Sequence, residues 1–320
     1  MKQTLIRGAK QGLQVTWTLS KVIFPITVII TILQYTPVFD WLIRIITPIM
    51  NSFGLSGEAA IPLVLGNSLN LYAGIAAIVS FDFTVKEVFI MAVMLSFSHN
   101  LFIESSVATR VGIRWPIIVG IRITLVILSA LLINYFWDGG KSVAQYGLLT
   151  HHAQSPEGVV AITLEGFQTA LISILQLAAI VLPLMIVLQF FRELGWMDKI
   201  SNVVAPFTRL MGMEKNASMT LVTGLTIGLA YGVGVMVQAV QQDGVAKKDM
   251  YLAFIFLVSC HAVVEDTLVF LPLGIPVWPL LLIRLTTAIV MTSVIGYFWN
   301  KSNKRNRKEE TEHEYTYNSI

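Results

Sequence analysis

From Trp115 to Trp137 the chain reads WPIIVGIRITLVILSALLINYFW, an apolar run broken by one charged side chain, Arg122. As an α-helix such a run is about 34 Å long, enough to cross a hydrocarbon layer of about 30 Å. Lipid offers the backbone no hydrogen bonds, so only helices and closed barrels cross it. Barrel strands alternate apolar and polar residues over about ten positions. This run does not alternate, and a helix is the remaining solution. Composition extends the conclusion to the whole chain: of 320 residues, 55% are hydrophobic and 13% charged, against about 25% charged in soluble domains. The fold class is an all-α polytopic membrane protein, and its first partner is the lipid bilayer.

The net charge of +3 is no nucleic-acid footprint, because the basic residues gather in MKQTLIRGAKQG at the start and NKSNKRNRKEE near the end. By the positive-inside rule both termini are cytoplasmic. Residues 301–320 are expected to form a charged, disordered tail. The apolar run Val22 to Leu33 has no small-residue cleavage motif after it, which reads as a retained first helix. The lone Cys260 can form no internal disulfide.

The chain repeats itself. An offset of 158 residues pairs Pro25 with Pro183, Asp40 with Asp198, Pro48 with Pro206, Gly54 with Gly212, Gly66 with Gly224 and Gly74 with Gly232. After a slip between FDFTVKE and QQDGVAKKD the offset is 162, pairing His99 with His261, Glu104 with Asp266, Gly112 with Gly274 and Arg122 with Arg284. Both copies close on Tyr-Phe-Trp. Each offers five apolar segments: 18–36, 38–52, 58–80, 86–106 and 115–137, then 168–190, 198–211, 217–240, 250–270 and 278–299. If all five span, the copies are inverted. The domains are then a first repeat (1–137), an extracytoplasmic linker (138–166) and a second repeat (167–300). Arg110, Arg114, Arg192, Lys199, Lys247 and Lys248 fall inside, and only Lys86, Lys141 and Lys215 outside. The short second segments either span with a tilt or are re-entrant. His151 and His152 lie in the linker and are expected to be solvated.

The third segments are interrupted. Pro62, Gly66, Asn67, Ser68, Asn70 and Gly74 break the first; Gly224, Thr226, Gly228, Gly232 and Gly234 break the second. Breakers at corresponding places in two membrane repeats point to a binding site, since unwound backbone exposes groups that hold a solute or ion. Close helix packing through small residues is the bland alternative. GLSGEAAIPLVLGNSLN and GMEKNASMTLVTGLTIG resemble the Gate, or nucleoside-recognition, domain. That domain recurs in concentrative nucleoside transporters, in the membrane region of ferrous iron transporter B and in spore maturation proteins A and B. In the second copy Asn216 stands where the first has Glu58. The resemblance implies a transport-related role in a bacterial cytoplasmic membrane, crossed several times.

Each carboxylate precedes an arginine by 18 residues across a short turn, which predicts two buried ion pairs, Glu104 with Arg122 and Asp266 with Arg284. His99 with Asn100 beside it, and His261 with Glu265 four residues on, are candidate binding or coupling residues, together with Asn67, Ser68 and Asn70. On a continuous helix His261 and Glu265 share a face, and histidine exchanges protons near neutral pH. The expected function is secondary transport of a small polar solute coupled to a proton or ion gradient. The alternatives are a non-transporting partner in envelope or spore assembly, and a divalent metal permease. His99, His261 and Glu265 could supply ligands for a borderline cation, but with no Cys or Met cluster beside them no metal-ligand set is assigned, and no cofactor is expected. The sequence lacks HExxH, GxSxG and GxxxxGK[ST], so no enzyme is expected. A homo-oligomer or paralogue partner is compatible with this reading.

Overall fold

In the computed structural model, residues 2–145, 158–194, 206–241 and 244–317 are described. The first half runs through α1 (Lys2–Gln34), α2 (Pro37–Ser52), α3 (Ala60–Ser68), α4 (Leu71–Ile78), α5 (Val85–Ser98), α6 (Leu101–Arg110) and α7 (Trp115–Phe136). The second half has α8 (Val159–Glu193), α9 (Ser218–Gln241), α10 (Lys247–Ser259), α11 (Val263–Leu268) and α12 (Val277–Tyr317). Asp198, His151 and His152 lie outside the described residues. Among the described residues three helices are long and apolar enough to cross a membrane: Val85–Arg110, Trp115–Phe136 and Val277–Ser302. A fourth is counted if Thr27–Gln34 and Pro37–Ser52, bent by 93°, are one span. Pro37 sits at the first turn of α2, where its missing N–H costs nothing and its fixed φ starts a new helix after the bend.

The third segments do not cross as single helices. α3 and α4 have 9 and 8 residues, roughly 12–13 Å each, less than half a bilayer. They fold back on each other around Leu69 and Asn70. A Cβ built on Gly74 would lie 3.0 Å from the Gly66 Cα and 3.0 Å from the Pro62 carbonyl oxygen, so only glycine permits this approach. Asn70 turns the corner by accepting from Ala73 N with its side chain at 2.9 Å. In the second half α9 breaks at Gly228, with φ 80° and ψ 172°. A straight helix of 24 residues would separate its ends by about 35 Å. Instead Asn216 Nδ2, just before α9, donates to the Gly244 oxygen, just after it, at 3.5 Å. α9 therefore also returns to the end it started from. Segments 58–80 and 217–240, expected to span, fold back as hairpins, because Asn70 in the first and Gly228 in the second let the chain reverse.

Each hairpin is pinned at its mouth by a carboxylate from the following helix. Glu87 Oε1 accepts from Ser56 N at 2.9 Å, and its other oxygen caps α5 through Thr84 N at 2.9 Å. Asp249 Oδ2 accepts from Glu214 N at 3.3 Å. The two mouths pack into different hydrophobic clusters. Residues around the first pack with Phe83, Ala144, Leu273 and Ile275; those around the second share a cluster with Val111, Ile113, Met211 and Val245. Between them α5 and α10 are apolar on all sides and buried along almost their whole length, as expected of central helices. α1 and α8 form a long antiparallel pair beside this core, close enough at Gly8 and Gly12 that a Cβ would meet the α8 backbone at Ile186 and Leu182.

The last helix departs from expectation too. α12 continues through Tyr317 where a disordered tail was expected from residue 301. A helix already 26 residues long needs no new nucleus, and Lys, Arg and Glu extend helices well.

Gly74→Ala should lower stability by about 1–3 kcal/mol through overpacking of the hairpin. Gly120→Ala, whose Cβ meets nothing within 4 Å, should be neutral or slightly stabilising. Thermal melts of both purified variants check this; equal melting points would show that the hairpin tolerates a wider gap.

Candidate functional site: a buried histidine–carboxylate–arginine cluster

The central helices stop short of a full crossing. α5 ends at Ser98 and α6 begins at Leu101; α10 ends at Ser259 and α11 begins at Val263. At each break one residue takes a left-handed conformation, Asn100 with φ 54° and Ala262 with φ 41°. Asparagine visits this region readily; alanine does so at a cost. Each break is held by the adjacent hairpin. Asn100 N donates to the Gly66 oxygen at 2.9 Å, and Ala262 N to the Gly224 oxygen at 3.0 Å. The breaks turn His99 and His261 towards each other, with ring centroids 5.1 Å apart.

The tautomers follow from the backbone. His99 Nδ1 lies 2.8 Å from the Leu95 oxygen, and His261 Nδ1 lies 2.8 Å from the Leu257 oxygen. A carbonyl only accepts, so both Nδ1 atoms donate and the neutral rings carry their lone pairs on Nε2. Both Nε2 atoms face carboxylates. His99 Nε2 is 3.4 Å from Glu104 Oε1 and 3.9 Å from Asp266 Oδ2. His261 Nε2 is 3.2 Å from Glu104 Oε2 and 3.8 Å from Asp266 Oδ2.

The carboxylates are in turn held by arginines. Arg122 Nη2 donates to Glu104 Oε2 at 3.0 Å, and Arg284 Nη2 to Asp266 Oδ2 at 2.8 Å. Arg122 also donates to the Phe97 and His99 oxygens at 2.8 and 2.5 Å, and Arg284 to the His261 oxygen at 2.7 Å. These carbonyls are free because the helices are broken there. All six side chains are buried, and both arginines are fully so. The formal charges of the two arginines and two carboxylates cancel while the imidazoles are neutral.

Sequence reasoning separates the ion pairs from the histidines; the structure joins them. It expects His261 and Glu265 on one helix face, but the break at Cys260–Ala262 removes that face. Asp266 and Glu104 approach His261 instead, and Glu265 Oε1 accepts from Tyr72 of the first hairpin at 2.6 Å. Asn70 is a helix cap. Ser68 is exposed at the end of α3. Asn67 donates to the Leu63 oxygen at 2.7 Å, and its Oδ1, like that of Asn100, is buried without a hydrogen-bond partner among the described residues. No metal ligands are assigned from the sequence, yet His99, His261 and Asp266 offer ligand atoms within 4.8 Å of one another. They come from two breaks 162 positions apart, a distance no local spacing rule reaches. Tyr72 has no sequence signal; it is one aromatic residue in an apolar run.

Arg122→Gln should leave Glu104 as a buried charge without its guanidinium and lower stability by about 3–5 kcal/mol. Glu104→Gln combined with Arg122→Gln should be milder than the sum of the single losses. Melting curves of the full double-mutant cycle test this, and strictly additive losses would mean the pair does not interact.

The comparisons agree with this architecture. The family model described as "Gate: Nucleoside recognition" matches residues 16–125 and 174–275, one stretch in each half. Over 301 residues, 94% of this chain and 96% of the relative, the sequence is 62% identical to the "Uncharacterized membrane protein YvoD" of Bacillus subtilis (strain 168). No solved structure matches. Two matched stretches that together cover most of the chain make it a member of the Gate, or nucleoside recognition, family of membrane proteins.

Proposed function

We propose that the chain is a permease for a small cation, with the buried cluster as its binding site. One observation carries this: two imidazole lone pairs and two carboxylates converge where four helix segments break, inside an apolar core. Acceptors facing acceptors at 3.2–3.9 Å repel unless something positive lies between them. A proton or a metal ion satisfies that need. A neutral nucleoside brings no positive charge to place between these acceptors. The cation reading is therefore preferred to transport of a larger polar solute.

The supporting topology is two inverted repeats, 1–137 and 167–300. Each contributes three crossings and one re-entrant hairpin. In the first repeat α1, α5 with α6, and α7 cross; in the second α8, α10 with α11, and α12 cross. The amphipathic second segment of the first repeat, α2, lies along an interface. Three crossings, like five, are an odd number, so the orientation expected from five crossings is preserved. Arg110, Arg114, Lys247 and Lys248 remain inside. Lys215 moves inside with them, since its neighbour Asn216 bonds to Gly244 beside α10. The charge bias is then stronger than with five crossings. Two hairpins that enter from opposite faces and touch the two helix breaks are suited to opening one face at a time.

Two measurements check this reading. A Lys141→Cys probe in a Cys260→Ser background should label from outside only; labelling from the cytoplasm alone would defeat the inverted topology. His261→Asn should fold and insert but lose cation flux in proteoliposomes at least tenfold. Unchanged flux, or no cation-dependent flux from the native protein, would favour a non-transporting membrane partner.

A further inference from the structure

We infer that the cluster selects a single borderline divalent transition-metal ion, held by His99 Nε2, His261 Nε2 and the carboxylates of Glu104 and Asp266. This inference rests on the cation-permease reading for the ion's role as cargo. It adds the ion's chemical class and the atoms that bind it.

Three observations carry it. The first is the donor set: two imidazole nitrogens and two carboxylate oxygens. Imidazole suits zinc, iron, cobalt, nickel and copper, whereas magnesium and calcium favour oxygen cages. Alkali ions gain nothing from imidazole lone pairs in place of water or carbonyl oxygens. The second is size. Ions of this class bind nitrogen and oxygen at about 2.0–2.2 Å, which makes the edges of a ligand tetrahedron roughly 3.3–3.6 Å. Glu104 Oε1 stands 3.4 Å from His99 Nε2 and its Oε2 stands 3.2 Å from His261 Nε2, so this carboxylate is within an edge length of both rings, each through a different oxygen. Asp266 Oδ2 stands at 3.9 and 3.8 Å, a few tenths of an ångström beyond such an edge, and with the two rings it offers ligand atoms within 4.8 Å of one another. The third is preorganisation around the ligands. Each Nδ1 is fixed on a backbone carbonyl, and each carboxylate is oriented by an arginine. Such outer contacts fix the ring tautomer and aim the ligand atoms. His261 Nε2, fully buried, receives no hydrogen bond among the described residues.

The arginines also moderate the site. They neutralise the carboxylates, so the cage attracts a divalent ion less strongly than two free carboxylates would. A cargo site needs this, since the ion must leave as well as enter.

The test uses the full chain in detergent with Co²⁺ alone as the probe. The expected result is one Co²⁺ per chain, with the intense visible bands of tetrahedral nitrogen–oxygen coordination. Zn²⁺ should displace it, and Mg²⁺ should not at a thousandfold excess. His99→Asn keeps an N–H for the Leu95 carbonyl but removes Nε2; it should keep the native melting point and lose the bands. Native protein without tetrahedral bands, or with bands that survive both His99→Asn and His261→Asn, overturns the inference. If those variants lose flux of a monovalent cation or protons while Co²⁺ fails to bind, the metal assignment falls and the permease reading stands. If Co²⁺ binds as described but no cation crosses in proteoliposomes, the site stands and the permease reading falls.

Discussion

The structure depends on placing two guanidinium groups where no water can reach them. Arg122 and Arg284 are fully buried, and an arginine in that setting is stable only if its charge and its donors are matched. A carboxylate meets the charge in each half. Intact helices could not meet the remaining donors, because they spend their carbonyls on their own N–H groups. Breaking α5 from α6 and α10 from α11 releases the carbonyls of Phe97, His99 and His261, which accept from the arginines. The breaks are thus part of the electrostatic solution. They also produce the site, since the residues that turn the chain at each break are the histidines and their neighbours.

The hairpins complete this arrangement by supplying the backbone that the breaks leave unmatched. Gly66 and Gly224 each offer a carbonyl to the first residue past a histidine, and neither can carry a side chain without meeting Leu95 or Leu257. The first hairpin also reaches the other half through Tyr72 and Glu265. Movement of a hairpin tip would therefore be felt by the histidine beside it and by the opposite half. Glu87 and Asp249 hold the mouths, and their placement one position after a lysine in both halves belongs to the same repeat.

Much of this was legible in the sequence for definable reasons. The membrane class follows from uninterrupted apolar runs, and the repeat from matched proline, glycine, histidine and arginine. The Glu104–Arg122 and Asp266–Arg284 neighbourhoods follow from a hairpin whose length sets which residues share a depth. Other features were not legible. That segments 58–80 and 217–240 turn back depends on conformations at Asn70 and Gly228, and a glycine in an apolar run serves a kink, a close contact or a reversal equally well. The pairing of His261 with Glu265 rested on helical periodicity, which ends where the helix ends. The meeting of His99 with His261 is a long-range consequence of two halves packing, and no window of the sequence contains both.

The two arginines are not matched equally, and that has a consequence for how the halves share the work. Among the described residues Arg122 donates to two carbonyls and a carboxylate, while Arg284 donates to one carbonyl and a carboxylate and keeps a buried Nε without an acceptor. A hydrogen bond from a charged donor contributes about 1.5–3 kcal/mol. The same buried guanidinium is therefore anchored less firmly in the second half than in the first, and the second break is the one whose geometry has the most to gain from a further acceptor.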